Sequence, residues 1–513
     1  MLAKFILFSA LAASVLAQSN PCPAGSRFGD PSASPAWNGW GVDSSNARFQ
    51  PAKAAQLAAD QVAKLKLKWA FGFPGVRSVM GQPSVVAGRV FLGVDTGAVY
   101  ALDAPTGCLY WTFQAEGSVR SAITVERLGT TRYAAFFGDL KANAYAVDAA
   151  TGELIWKTHA DPHALARITA APKVVEGRVY IGLASGEEGA AMRQYECCSF
   201  RGSVVALDAA SGKQIWKTYT IAEEPKPVGK NSDGTVRWAP AGAGVWNSPT
   251  IDLKRRALYV GTGDAFTEPA ANTTDAIMAF DLDTGKILWT KQDTANDAWL
   301  LGCTGKTPPE NCPKDLGPDQ DFGASPILKT LADGRTILVA GQKSGNVWAH
   351  DVDRQGAVVW RTALVNNTTE FGGKIVWGGA ADEQKAYFGL GPGGIGAVQI
   401  KDGERQWFTP LEPTPELAKH PGQDGPLTAI PGVIFSGGWD GVLRALSAAT
   451  GKVIWEYNTM QEFSTVNGIP GKGGSMGAAG PTVAAGTLFV PSGYIGVRQG
   501  MPGNVLLAFR AEN

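Results

Sequence analysis

ALDAPTGCLYW at 101–111, AVDAATGELIW at 146–156, ALDAASGKQIW at 206–216 and AFDLDTGKILW at 279–289 are four copies of one phrase. It returns as AHDVDRQGAVVW at 349–360, AVQIKDGERQW at 397–407 and ALSAATGKVIW at 445–455. In six of these seven copies the tryptophan stands ten residues after the opening alanine, and the fifth carries one extra residue. Each copy reads as a strand, a tight turn and a second strand. Asp-x-x-[Thr/Ser]-Gly suits the turn, because glycine takes positive φ without steric cost and Asp bonds its own backbone. Two half-phrases remain: KLKLKWAF, with Trp69 but no alanine half before it, and LLAF at 506–509, with Ala508 but no tryptophan after it. Joined, they make an eighth copy.

Trp69, Trp111, Trp156, Trp216, Trp289, Trp360, Trp407 and Trp455 therefore hold one place in eight repeats. The shortest repeats, at 42 to 48 residues, accommodate four short strands with turns. The spacing predicts an all-β, eight-bladed propeller whose ring is closed by the N- and C-terminal segments sharing a blade, which hides the sheet edges. Residues 51–513 form that propeller, 18–50 a loop-rich entry, and 1–17 a secretory signal peptide with one lysine, an apolar run and small residues before Gln18. QLAADQVAKLKL (56–67) has a helical pattern leading into the Trp69 strand. No other segment is apolar enough to span a membrane.

The 64 glycines and 16 tryptophans fit a turn-rich β chain. Lys+Arg and Asp+Glu both number 46, so no net field calls for nucleic acid or an anionic membrane. Six cysteines in an exported chain suggest disulfides, and the expected location is secreted or periplasmic. Cys303 and Cys312 bracket a short loop and are expected to pair, Cys197 and Cys198 are adjacent, and Cys22 and Cys108 are left over. Asn272, Asn366 and Asn367 each begin an Asn-x-Thr sequon. There is no Cys-x-x-Cys-His for attached haem. His159, His163, His350 and His420 form no zinc pair, and His159 and His163 read as surface residues. No Gly-x-Ser-x-Gly elbow supports a serine hydrolase.

Catalysis must then lean on carboxylates, a metal or a cofactor. The third and fourth repeats carry large insertions at 184–202, 219–244 and 294–322, and grown loops on one propeller face build sites. Glu187 and Glu188 in ASGEEG, Asp264 in GTGDAF, and Asp319 and Asp321 in GPDQDFG each stand next to a strand. Converging carboxylates repel, so a hard cation is the natural way to hold them together.

The tryptophan-terminated repeat resembles that of the pyrroloquinoline quinone (PQQ)-dependent alcohol dehydrogenases. ECCSFRGSVVALD, GPDQDFGASPIL and AGQKSGNVWAHD are most similar to the poly(vinyl alcohol) dehydrogenase branch. The resemblance covers essentially the whole mature chain, and it implies the following assignments. The quinone stacks on Trp246, counted back from GTGD, and faces a disulfide between Cys197 and Cys198, which stands one blade later than in the best-known members. Either cysteine bridging to Cys22 or Cys108 is the alternative. Glu188, with Glu187 one slip away, and Asp264, in place of the family's asparagine, bind the metal. The metal is calcium, with a lanthanide open because Asp319 and Asp321 form an Asp-x-Asp pair. Asp319 matches the catalytic base, with Asp321 as its alternative, although the family's Trp-Asp pair is absent. Arg120, Thr169 and Ser185 hold quinone carboxylates. Lys343 is the cation beside the reactive carbonyls. The family's early glutamate is replaced by Met80, with Gln82 nearby.

The implied reaction oxidises an alcohol, with secondary and polymeric alcohols among the candidates, to a carbonyl and passes electrons to an external acceptor such as a cytochrome c. Two alternatives share the fold: a PQQ-dependent sugar dehydrogenase, and a non-enzymatic scaffold that binds proteins.

Overall fold

The opening alanine and the tryptophan of each phrase are cross-strand partners. A computed structural model, which describes residues 20–25, 27–192, 194–365, 374–411, 422–496 and 500–512, pairs Ala101 with Trp111, Ala146 with Trp156 and Ala206 with Trp216. The same pairing holds for Ala279 with Trp289, Ala349 with Trp360, Ala397 with Trp407 and Ala445 with Trp455. The eighth pair is Trp69 with Ala508, contributed by the two ends of the chain. The ring is thus closed as the half-phrases predict. The extra residue of the fifth copy is absorbed by a 3-10 turn at Val352–Arg354.

Among the described residues there are eight blade sheets. They span 84–114, 124–159, 173–219, 250–292, 327–363, 380–409, 428–458, and 482–511 with 65–72. Seven have four strands, and the third gains a short fifth, Ala166–Arg167. Middle strands such as Arg89–Gly93 are buried along their whole length, because both faces press on neighbouring blades. Outer strands such as Leu154–His159 alternate, with one face toward solvent.

Blades dock on one another through the repeat itself. The turn glycines Gly107, Gly152, Gly212, Gly285, Gly356, Gly403 and Gly451 have φ of 69–78°. A Cβ at any of them would come within 2.5–2.9 Å of the preceding blade's tryptophan ring or of a side chain beside it. Glycine is therefore required twice, for the backbone and for the ring. Several indoles also donate to a backbone oxygen of the next blade: Trp111 Nε1 to Ala149 at 3.1 Å, Trp156 to Ala209 at 2.8 Å and Trp360 to Ile400 at 2.9 Å. Trp455 meets the closing blade edge-on at Phe509 instead.

The loop-rich entry has a definite task. Its stretch from Trp37 to Gln50 lies along the inner, axis-facing strands and touches all eight blades. Trp37 pairs with Val85, Asn38 bonds Val125, and Lys173 Nζ donates to the Asp43 carbonyl at 2.5 Å. The Ser44, Ser45 and Ala47 carbonyls accept from Ile251, Leu328 and Ala381. Gln50 N donates to Ala429, and its side chain reaches Val483. Eight open strand edges are covered in this way. Arg48 is fully buried here, with its guanidinium 4.5 Å from the Trp40 ring.

The helical reading of 56–67 needs correction. A short helix, Ala52–Ala55, ends at Gln56 with φ 49°, a 3-10 segment covers Ala59–Lys64, and the strand already begins at Leu65. The apolar spacing there serves docking onto the closing blade rather than a continuous helix. Cys22–Cys108 and Cys303–Cys312 are disulfide-bonded, and so are Cys197 and Cys198. The signal-peptide segment, Asn366, Asn367 and His420 lie outside the described residues.

The double constraint on the turn glycines is testable. Gly177 also has positive φ, at 74°, but open space where a Cβ would go. Gly177→Ala should cost about 1–2 kcal/mol through backbone strain alone. Gly212→Ala should cost roughly 1–3 kcal/mol more, because the Trp156 ring must move. Urea midpoints of the two variants measure the difference.

Candidate active site

In antiparallel blades, the start of the inner strand and the end of the next strand share one face of the ring. Trp246, Asp319, Asp321, Arg120 and Thr169 stand just before inner strands, while Asp264 and Lys343 stand just after second strands. Glu188 lies in a helical turn, Glu187–Ala190, that follows the second strand of the third blade. The topology alone therefore brings these positions to one end of the axis.

There the acids meet two cations. Oxygens of Asp264, Asp319 and Asp321 lie within 4.8 Å of one another. Lys343 Nζ is 2.5 Å from Asp319 Oδ1 and 2.7 Å from Asp321 Oδ2. Lys374 binds the other oxygen of Asp319. Asp321 Oδ1 accepts the Asp264 N–H at 2.7 Å. Asp264 Oδ2 is buried with no hydrogen-bond partner among the described residues.

The electrostatics follow from burial and crowding. Burial, then Asp321 and Glu188, raise the Asp264 carboxyl well above its ordinary range. Burial also lifts Glu188, to about 7, with Asp321 and Asp319 adding to it and Lys343 opposing. Burial would raise Asp319 too, but the charges of Lys343 and Lys374 outweigh it and hold this group below the usual carboxylate range. Burial disfavours charge on Lys343, yet Asp319, Asp321, Glu188 and Asp264 together raise it.

Trp246 lies beside this group, with Lys343 Nζ 5.5 Å from its ring centroid. The ring rests on Gly323, where a Cβ would come within 1.9 Å of it. Trp377 meets Trp246 edge-on at 5.5 Å. Thr169 Oγ1 donates to the Trp246 carbonyl at 3.4 Å, and Arg120 Nε donates to the Thr169 carbonyl at 3.4 Å. The Arg120 guanidinium lies 4.8 Å from the Trp377 centroid. A cavity beside Trp246 is lined by Arg120, Thr169, Trp377, Ser248 and Ser325, together with Trp40 of the entry segment.

Glu187 does not belong to this acidic group. Its buried carboxylate accepts N–H bonds from Ser199 and Phe200, both at 2.8 Å, and the Tyr195 hydroxyl at 3.1 Å. His163 lies 3.5 Å from it, so this histidine is a half-buried partner rather than a surface residue. Adjacent glutamates on one turn have different partners: Glu187 accepts backbone N–H groups, while the charges of Lys343 and Lys374 act on Glu188. Ser185 Oγ accepts the Glu187 N–H at 3.2 Å.

Cys197 and Cys198 are buried in an apolar cluster with Phe200, Phe266 and Leu300, on the insertion that carries Glu188. Trp238 of the next insertion pairs with them through backbone bonds. Asn231 and Ser232 of that hairpin bond Asn311 and Glu310 in the Cys303–Cys312 loop, so the three insertions form one assembly. Gln82 is turned toward Arg48 and Trp40, whereas Met80 packs on the Trp439–Tyr494 cluster.

The reading by motif misses Lys374 and Trp377. A signal existed: Val376-Trp377 precedes the inner strand of the sixth blade, as Val245-Trp246 precedes that of the fourth. It also misses Asp297, whose carboxylate is fully buried behind the acids.

Residues 37–302 match the family described as glucose/ethanol/alcohol dehydrogenase, beta-propeller domain. Residues 201–424 and 393–512 match that of outer membrane protein assembly factor BamB. The chain is 43% identical to polyvinylalcohol dehydrogenase of Pseudomonas sp over 93% of its length and 77% of the relative's. It is 39% identical to polyvinylalcohol dehydrogenase of Sphingopyxis sp. (strain 113P3), over 93% of this chain and 76% of that one. Quinohemoprotein alcohol dehydrogenase ADHIIG from Pseudomonas putida HK5 shares the fold at a TM-score of 0.71 and 18% identity, over 98% of this chain and 82% of that one. With its eight blades and this similarity along nearly its whole length, the chain belongs to the PQQ-dependent alcohol dehydrogenase family, on the polyvinylalcohol dehydrogenase branch.

Proposed function

We propose that this protein is a PQQ- and metal-dependent dehydrogenase that oxidises an alcohol, secondary or polymeric, to a carbonyl. The observation that carries the reading is the buried, unpartnered Oδ2 of Asp264 among acids that outnumber their lysines. Glu188, Asp264, Asp319 and Asp321 are four carboxylates against Lys343 and Lys374. An all-oxygen set with surplus negative charge suits a hard cation, calcium or a lanthanide. The residues present therefore fit the metal.

They fit the quinone as well. Trp246 offers a flat aromatic face, and Arg120, Thr169 and Ser185 offer charge and hydroxyls for its carboxylates. The Cys197–Cys198 pair is proposed to contact the same group. When bound, PQQ supplies a two-electron acceptor and the cation a Lewis acid. Asp319, kept ionised by two ammonium groups, accepts the proton of the substrate hydroxyl. Asp321 is its alternative, since its oxygens are already shared between Lys343 and the Asp264 N–H. Lys343 stabilises negative charge that develops beside it. Electrons leave to an external acceptor such as a cytochrome c. Three disulfides favour an oxidising compartment, periplasmic or extracellular. Among the described residues no helix is long and apolar enough to cross a membrane.

The BamB match supports a second reading, a propeller that binds other proteins and carries no redox chemistry. One experiment separates them. Apo-protein should gain dye-linked alcohol oxidation only when PQQ and calcium, or PQQ and a lanthanide, are both added. PQQ should also quench tryptophan fluorescence. Neither quenching nor turnover under both cations would leave only the scaffold.

The two glutamates should behave differently. Glu188→Gln should weaken cation binding by calorimetry while melting near the parental temperature. Glu187→Gln should keep cation binding but lower stability by about 1–3 kcal/mol, as buried donors lose a charged acceptor. Asp319→Ala should still quench fluorescence with PQQ yet lose at least about 100-fold in kcat. Retained turnover would move the base to Asp321.

A further inference from the structure

Asp297 touches neither Trp246 nor the lysines, yet both chain segments that carry the acids are fastened to it. Its Oδ1 accepts the Asp319 N–H at 3.0 Å and its Oδ2 the Gln320 N–H at 2.7 Å. Its own carbonyl accepts the N–H of Ala265, the neighbour of Asp264, at 3.0 Å. The next residue, Ala298, accepts the Gly317 N–H at 2.8 Å.

The fastening is needed because the segment it holds is strained. Asp319 has φ 61°, in the left-handed region that L residues enter at a cost. Two charge-assisted bonds to consecutive N–H groups hold that conformation. Gly317 leaves the room: a Cβ there would lie 2.2 Å from Asp297 Oδ1. Asp321 in turn accepts the Asp264 N–H, so the segments are tied to each other as well as to Asp297.

We infer that Asp297 is a positioning residue that sets the spacing of Asp264, Asp319 and Asp321 by bonding the backbone of both segments that bear them. The inference rests on the reading of those acids as a cation site. Groups that orient ligands in this way typically change metal affinity by about 10- to 100-fold when removed.

The test titrates terbium(III) into the full chain and reads tryptophan-sensitised luminescence, with thermal melting alongside. Asp297→Asn keeps the size, but its amide presents N–H to one of the two N–H groups it must accept. Gly317→Ala keeps every charge, and its Cβ displaces the Asp297 carboxylate together with the Asp297 Cα and Ala298 N, which would lie 2.7 and 2.8 Å from it. Both should lower terbium affinity about 10- to 100-fold while the protein still melts cooperatively. Affinity within twofold of the parental chain in both overturns the inference. So does a fall confined to Asp297→Asn, which would assign Asp297 a role through charge alone. If Asp297→Asn does not fold, Gly317→Ala decides by the same criterion. A parental chain that binds no terbium overturns the cation-site reading itself, a result distinct from the others.

Discussion

The docking of each repeat tryptophan on the next blade's turn glycine is the constraint from which the ring follows. A planar indole pressed on a backbone without a Cβ fixes both the separation and the tilt of neighbouring blades. Because the turn sits at one point of the repeat, seven of the eight interfaces repeat the same contact. Eight blades in this succession close the ring. Closure is non-covalent and falls within the eighth blade, where Trp69 and Ala508 come from different ends of the chain and meet as cross-strand partners. The last contact, Trp455 on Phe509, departs from the rule because the chain break falls where a turn would stand.

A ring of this kind gathers residues that are far apart in sequence, and charge decides which of them stay together. Glu188, Asp264, Asp319 and Asp321 come from the third, fourth and fifth repeats. Without compensation their mutual repulsion would open the loops that bear them. Lys343 and Lys374 offset part of it, and backbone N–H groups offset more. What remains bears on Asp264, whose Oδ2 has no donor among the described residues and whose carboxyl is raised well above its ordinary range by burial and by Asp321 and Glu188. A bound cation would remove that cost.

The fold was almost wholly legible in the sequence, because the Ala–Trp spacing is a register and the glycine a steric requirement. Both survive as letters at fixed intervals. The positions of Trp246, Asp264, Asp319, Asp321 and Lys343 were legible for a related reason, since each stands at a fixed offset from a strand. What could not be read was side-chain direction inside insertions. Glu187 and Glu188 are neighbours in sequence, and only the folded loop shows that one binds backbone N–H groups while the other faces the lysines. Lys374 and Asp297 lie outside any motif, and their partners are tertiary. His163 looked exposed because its partner, Glu187, comes from the next strand's end.

The entry segment shows how the two ends of the axis differ. The inner strands of all eight blades leave backbone groups facing a central channel, and an open channel would hydrate them from both sides. Residues 37–50 bond those groups, so water is excluded from one end by main-chain and side-chain hydrogen bonds rather than by apolar filling. Arg48 is buried in that layer without an acidic partner among the described residues and has its pKa lowered to about 9 by burial. Its guanidinium is satisfied by the Leu427 and Trp40 carbonyls, Gln82 and Thr428. A cation held by neutral acceptors thus stands against Trp40, which lines the same cavity as Trp246.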